Sequence, residues 1–193
     1  MIAGPNGAGK TTYAFRHIRA VSGTAQFVNL DEIARGLAPL APELARQRAA
    51  RVALDMTADF IRSGVPFSIE RTLAGRTHLR TLKAARDAGF KVVLLYFSPD
   101  SVETCLARVA RRVSEGGHDV PEPDVRRRFI RSAANLPAYA QAANLWRVFD
   151  TGSLKVRTAA EGKAGCVSSI EPAAVVAPAV RAWIDGLPPC AEG

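Results

Sequence analysis

Glycines at positions 4, 7 and 9 followed by Lys10 and Thr11 set a pliable backbone directly ahead of an ammonium and a hydroxyl. The segment Gly4-Pro5-Asn6-Gly7-Ala8-Gly9-Lys10-Thr11 fills every fixed position of G-x-x-x-x-G-K-[ST], the pattern of a phosphate cradle. Glycines let successive backbone N–H groups converge on an anion, and the helix that follows adds the positive end of its dipole. In such a loop the lysine reaches the β- and γ-phosphates and the threonine hydroxyl ligates Mg²⁺. The expected nucleotide contacts are therefore Gly4, Asn6, Gly7, Ala8, Gly9, Lys10, Thr11 and Thr12, with Thr11 on the metal and ATP or GTP plus Mg²⁺ as cofactors. A chance glycine-rich turn before a helix is the plain alternative.

These groups need a strand before the loop and a helix behind it. Tyr13, Ala14, His17 and Ile18 recur at helical spacing, which supplies the helix. Only Met1, Ile2 and Ala3 precede Gly4, whereas a central strand usually runs to about five residues. That shortness points to a late or trimmed start and a less well covered core around the first strand. Gln26 to Asn29 reads as a second strand ending at Asp31-Glu32, where ligands collect in open α/β sheets. A long helix follows over Glu43 to Ser63, stopped by Gly64, and a third strand over Val65 to Ile69 delivers Glu70-Arg71-Thr72. A helix over Thr77 to Ala88 leads to the apolar run Lys91 to Phe97, which suits a parallel strand covered on both faces. Helices from Ser101 to Val113 and from Pro121 to about Asn135 flank a polar loop containing His118, and this hairpin reads as a lid over about 108–131. A fifth strand over Leu145 to Phe149 ends at Asp150-Thr151-Gly152-Ser153, placed to line a nucleobase pocket. Thr151 to Ile170 is polar enough to be mobile, a helix spans Pro172 to Asp185, and residues 187–193 form a fraying tail behind a single domain of residues 1–186. Strands alternating with helices predict a three-layer α/β/α sandwich around a mainly parallel five-stranded sheet.

At 193 residues the chain suits one domain, and 48% hydrophobic with 23% charged residues is a globular composition. No apolar run approaches the roughly 18 residues of a membrane span, and no signal peptide precedes the loop, so a cytoplasmic protein without a membrane partner is expected. Cys105, Cys166 and Cys190 are far apart and read as reduced bystanders. A formal charge of +8 attracts anions. The arginines are spread over helices without interleaved aromatics, which favours a polyanionic small-molecule pocket over a nucleic-acid partner.

Four elements together carry a family resemblance. Gly4-Pro5-Asn6-Gly7-Ala8-Gly9-Lys10-Thr11-Thr12, Asn29-Leu30-Asp31-Glu32-Ile33-Ala34, Ile69-Glu70-Arg71-Thr72-Leu73, and Gly116-Gly117-His118-Asp119-Val120-Pro121-Glu122 with Arg127-Arg128-Phe129 resemble the zeta-toxin family of P-loop kinases over about Met1 to Asp150. The resemblance implies a nucleotide-kinase-like P-loop NTPase fold and an ATP- or GTP-dependent kinase acting on a hydroxyl of a nucleotide sugar such as UDP-N-acetylglucosamine. It also implies that an antitoxin protein could be a partner. Carried over by motif, Asp31 resembles the general base, Glu70 the carboxylate that helps bind the acceptor, and Arg112 a lid arginine. Thr72 and His118 fall on the acceptor side, and Arg128 on the nucleotide side. Two departures concern the acceptor: His118 stands where the toxins place a second lid arginine, and Arg71 stands where a small residue often follows the glutamate.

Phosphoryl transfer asks for alignment and charge neutralisation, which Lys10, Arg112 and a metal on Thr11 would supply. Asp31 is either the carboxylate that takes the acceptor proton or the N-cap of the helix behind it, or both. Glu70 binds the acceptor, or holds Mg²⁺ through water, or pairs with Arg71 at the strand end. His118 is a lid group or an exposed loop residue, and of Arg126 to Arg128 at most one or two can face a single pocket. The competing functions are an ABC-like ATPase, which lacks here a Leu-Ser-Gly-Gly signature, and an ATP-binding module without phosphotransfer.

Overall fold

The computed structural model describes residues 1–153 and 155–191. Its elements alternate as the apolar pattern predicts: β1 (Ile2–Ala3), α1 (Lys10–Ser22), β2 (Phe27–Val28), α2 (Leu30–Leu37), a 3₁₀ turn (Pro42–Ala45), α3 (Arg46–Ser63), β3 (Ser68–Arg71), α4 (Leu79–Asp87) and β4 (Val93–Ser98). The second half adds α5 (Val102–Ser114), α6 (Glu122–Ala142), β5 (Leu145–Asp150), β6 (Arg157–Lys163), β7 (Cys166–Ile170) and α7 (Pro178–Asp185). The sheet order is β2-β3-β1-β4-β5-β6-β7, with the first five strands parallel. This is a mixed α/β P-loop NTPase fold of the kinase-like kind.

The register explains how the layers form. Ile2 aligns with Glu70 and Leu95, and Ala3 with Arg71 and Tyr96. Because side chains alternate along a strand, Ile2, Leu95 and Phe97 face α1 through Ala14 and Ile18, whereas Ala3, Leu94 and Tyr96 face α4, α6 and α7. The same alternation turns Glu70 toward the loop that opens α1 and Arg71 toward α6.

Four expectations need correction. The polar stretch beyond Asp150 is not loose: β6 pairs antiparallel with β5 and β7 with β6, so the sheet has seven strands. At Gly162 of β6 the Trp146 ring leaves no room for a side chain: a Cβ there would come within 2.6 Å of that ring, and Trp146 Nε1 donates to Lys163 O at 2.6 Å. The tail is not frayed up to Cys190. Val167 N donates to Pro188 O, Cys190 N donates to Val167 O, and Cys166 is disulfide-bonded to Cys190. These two cysteines are therefore not reduced bystanders; β7 and the tail bring together positions that lie far apart in sequence. Cys105 is free and buried, and burial pushes its thiol up to about 12. Finally, α6 continues past Asn135 through Pro137, because Leu136, Tyr139 and Ala140 bury into the main core and outweigh the missing proline N–H.

Below the short β1 lies a cavity of about 310 Å³ lined by Met1, Ile2, Phe67, Leu82, Ala85 and Val93. No helix among the described residues is long and apolar enough to cross a membrane.

Candidate active site

The loop from Gly4 to Gly9 leaves β1 at the carboxyl end of the sheet and enters α1 at Lys10. Gly7 adopts φ +76°, and a Cβ there would meet Cys105 O of α5 at 2.6 Å, so only glycine fits the turn. Lys10 is 6% exposed and its Nζ donates to Pro5 O at 2.8 Å, folding the ammonium back over the loop. Burial pulls the ammonium below its ordinary value, and the carboxylates of Glu70 and Asp31 oppose that fall. Lys10 and Glu70 stand 3.7 Å apart.

Glu70 occupies the centre of the polar network. Thr11 Oγ1 donates to its carboxylate at 2.9 Å, and Asn29 Nδ2 donates to Oε2 at 2.9 Å. The strand-end pairing with Arg71 does not form, because Arg71 leaves on the opposite face and gives Nη1 to the Glu70 carbonyl instead. A hydroxyl and a carboxylate in contact form a hard oxygen donor set, as Mg²⁺ prefers. Among the described residues no cluster of three or more His, Cys, Asp or Glu could hold a metal alone. The fit is thus to an ion shared with nucleotide phosphates rather than to a closed protein cage.

Asp31 does not cap α2. Asn29 does, its Oδ1 accepting from Asp31 N at 2.8 Å and from Glu32 N at 3.2 Å. The Asp31 side chain is left exposed on the wall of a cleft of about 810 Å³, together with Asn6, Gly7, Ala8, Gly9, Lys10, Thr11, Thr12, Glu70, Thr72 and Arg112. Gly4 is buried under the loop, where a Cβ would strike Phe97 O. Behind Thr72 the chain turns sharply at Leu73, a buried residue at φ +55° whose carbonyl is held by Asn135 Nδ2 at 2.8 Å.

From the lid side, Arg112 reaches the cleft with its stem against Gly117, which has no room for a Cβ. Among the described residues, Arg112 Nε and Nη2 are buried without a hydrogen-bond partner. Such donors are costly unless an anion meets them. Of the arginine run only Arg128 turns inward: Nη1 donates to Asn6 Oδ1 at 3.2 Å and Nη2 to Asp124 at 3.3 Å. Arg126 pairs with Glu103 and Glu122, and Arg127 with Asp124. His118 does not join the cleft wall; its Nε2 meets the guanidinium of Arg46 at the start of α3.

Arg108 is the functional candidate that motif reading misses. Its guanidinium donates to Gly7 O at 3.4 Å and to the carbonyls of Gly152 and Ser153 at 3.3 Å, tying the phosphate loop to the loop after β5. The available signal is its i, i+4 spacing from Arg112, which puts both on one face of α5. Thr151 lines the same cleft end, and its Oγ1 is buried without a partner among the described residues. Asp150 sets that loop by accepting from Gly152 N and Val175 N, each at 2.9 Å.

A parallel sheet, a phosphate loop opening a helix, an acidic pair at the strand ends and an arginine-bearing helical hairpin define a P-loop NTPase with a kinase-like fold. The chain belongs to the AAA domain family, whose profile matches residues 1–136. It is 35% identical over 126 residues to an uncharacterized protein of Haemophilus influenzae, covering 65% of this chain and 88% of that one. Among solved structures, it resembles the AvrRxo1-ORF1:-ORF2 complex with ATP at TM-score 0.66 and 18% identity, across 100% of this chain but only 65% of that one. The chromosomal toxin–antitoxin system PezAT of Streptococcus pneumoniae aligns at TM-score 0.58 and 15% identity, over 80% of this chain and 70% of that one. Shikimate kinase of Acinetobacter baumannii aligns at TM-score 0.50 and 22% identity, over 79% and 82%. At these identities the solved neighbours bear on fold alone.

Proposed function

We propose that the protein is a small-molecule kinase that moves the γ-phosphoryl group of ATP or GTP to an acceptor hydroxyl, with Asp31 as general base. The supporting observation is the freed carboxylate: Asn29 caps the helix, and Asp31 lines the same cleft as Lys10, close enough to act on its charge. Asp31 takes the hydroxyl proton as the acceptor oxygen bonds to phosphorus, and the bond to the β–γ bridging oxygen breaks to release the nucleoside diphosphate. Lys10 and Arg112 meet the negative charge on the transferring group. Mg²⁺, when bound, supplies further charge neutralisation, and Thr11 with Glu70 would hold it. Glu70 is thereby reassigned from the acceptor to the metal side, since its carboxylate is engaged with Thr11. Thr72 remains on the acceptor side, Arg128 steadies the nucleotide loop through Asn6, and His118 on Arg46 links the lid to α3.

The acceptor class rests on the zeta-toxin resemblance, which implies a nucleotide sugar such as UDP-N-acetylglucosamine. An antitoxin-type partner belongs to the same proposal, supported by the toxin–antitoxin system among the fold neighbours. The test combines purified protein, ATP, Mg²⁺ and a panel of nucleotide sugars, with phosphorylated product read by mass spectrometry. Asp31→Asn is expected to lower kcat by about 10²–10⁴-fold while leaving ATP affinity unchanged. Full turnover in that variant rules out Asp31 as the base, and absence of any acceptor turnover in the unmodified protein favours a nucleotide-binding module.

A further inference from the structure

Asn29 is 5% exposed and spends both ends of its amide on the two carboxylate-bearing elements of the cleft. Its Oδ1 accepts from Asp31 N and Glu32 N, fixing the first turn of α2, while Nδ2 donates to Glu70 Oε2 at 2.9 Å. We propose that Asn29 is the positioning residue of this site, setting the Glu70 carboxylate for the metal and the Asp31 carboxylate for the acceptor through one side chain. The inference rests on the phosphotransfer reading and deepens it.

The chemistry requires an amide. A cap needs only an acceptor, which Asp and Ser supply as well as Asn. The Glu70 carboxylate meets Thr11 Oγ1 at 3.1 Å on Oε1 and 2.9 Å on Oε2, and Lys10 stands 3.7 Å from Oε1, all from the phosphate loop; Asn29 Nδ2 is the donor that holds Oε2 from the β2 side, so only a side chain with an N–H can fix the carboxylate from both directions. Asn29 is the point where β2 passes into α2, and Val28 pairs in parallel with Ile69, which brings position 29 alongside Glu70. Asparagine meets both demands at once. Aspartate would keep the cap yet set one carboxylate against another, and serine would keep the cap without reaching Glu70.

The test uses Asn29→Asp and Asn29→Ser in the full chain, with Asn29→Ala as the variant that loses both bonds. Melting temperature reports the cap, and binding of a fluorescent ATP analogue titrated with Mg²⁺ or Mn²⁺ reports the carboxylate. Asn29→Ser should melt within a few degrees of the unmodified protein, while the half-saturating metal concentration rises by about 10–100-fold, the usual effect of losing a hydrogen bond to a metal-side ligand. Asn29→Asp keeps the cap but sets a second buried carboxylate against Glu70, so it should melt lower than Asn29→Ser and also shift the metal dependence, and Asn29→Ala should lose on both measures. Unchanged metal dependence in Asn29→Ser and Asn29→Asp, against metal-dependent binding in the unmodified protein, overturns this inference and leaves the phosphotransfer reading intact. Metal-independent nucleotide binding in the unmodified protein overturns the metal-side place of Glu70 and with it this inference, whereas the phosphotransfer reading falls only if no acceptor is phosphorylated.

Discussion

Replacing Arg112 with methionine should move stability and nucleotide affinity in opposite directions. Arg112 Nε and Nη2 are buried without partners among the described residues, and the guanidinium also acts repulsively on the buried Lys10 ammonium. Each unmet buried donor costs roughly 1–3 kcal/mol, and water entering the open cleft lowers that figure. Methionine keeps an aliphatic stem beside Gly117 while removing the donors and the charge. The nucleotide-free variant should therefore gain about 1–2 kcal/mol, or roughly 2–8 °C in Tm for a chain of this size. Charge-assisted bonds to phosphate contribute about 1.5–3 kcal/mol, so ATP should bind roughly 10–100-fold more weakly. Thermal unfolding in the absence of ligand and across an ATP titration measures both quantities on one sample, because ligand stabilisation grows as RT ln(1 + [L]/Kd). A variant that melts lower without ligand, or that retains the full ATP-induced shift, refutes the assignment of Arg112 as an anion-seeking lid arginine.

Two further outcomes follow from the geometry. Gly7→Ala places a Cβ 2.6 Å from Cys105 O at a positive φ and should cost about 3 kcal/mol or abolish folding, whereas Gly9→Ala, at φ +84° with nothing within 4 Å, should cost only about 1–2 kcal/mol; denaturant unfolding of the two variants checks the contrast. His78 is held near a pKa of about 4 by burial and by the neighbouring Arg71, below its ordinary 6.5. Its folded value lies below its unfolded one, so stability is full above pH 6.5 and falls as the pH drops toward 4, because only the unfolded chain takes up the proton in that window. The partly solvent-reached ring makes this loss about 1–2 kcal/mol rather than the full linkage value; His78→Gln should remove that part of the acid slope, and an unchanged slope counts against it.

The phosphate loop and the parallel βα alternation were legible in order and spacing, while the candidacy of Asp31, Glu70 and Arg112 came from the zeta-toxin resemblance. Local chemistry suffices there: glycines at fixed intervals before a Lys-Thr pair encode a turn, and uninterrupted apolar runs encode buried strands. Partner choice was not legible. Asn29, not Asp31, caps α2, and Glu70 turns to Thr11 rather than to Arg71, because strand alternation and the register with β1 decide which face each side chain takes. The hairpin of β6 and β7 was not legible because its strands intersperse Arg157, Glu161 and Lys163 with Ala and Gly and carry no apolar run, and the Cys166–Cys190 bond joins positions that sequence alone leaves apart. Arg108 gains its place only when the loops at Gly7 and Gly152 close around it. Sequence determined the phosphate cradle and the class of fold through interactions a few residues apart. Tertiary structure alone decided that Asn29 caps α2 and leaves the Asp31 side chain on the cleft wall, that Glu70 meets Thr11, and that Arg108 and Arg112 enter the cleft, since those choices depend on contacts between strands and helices distant in the chain.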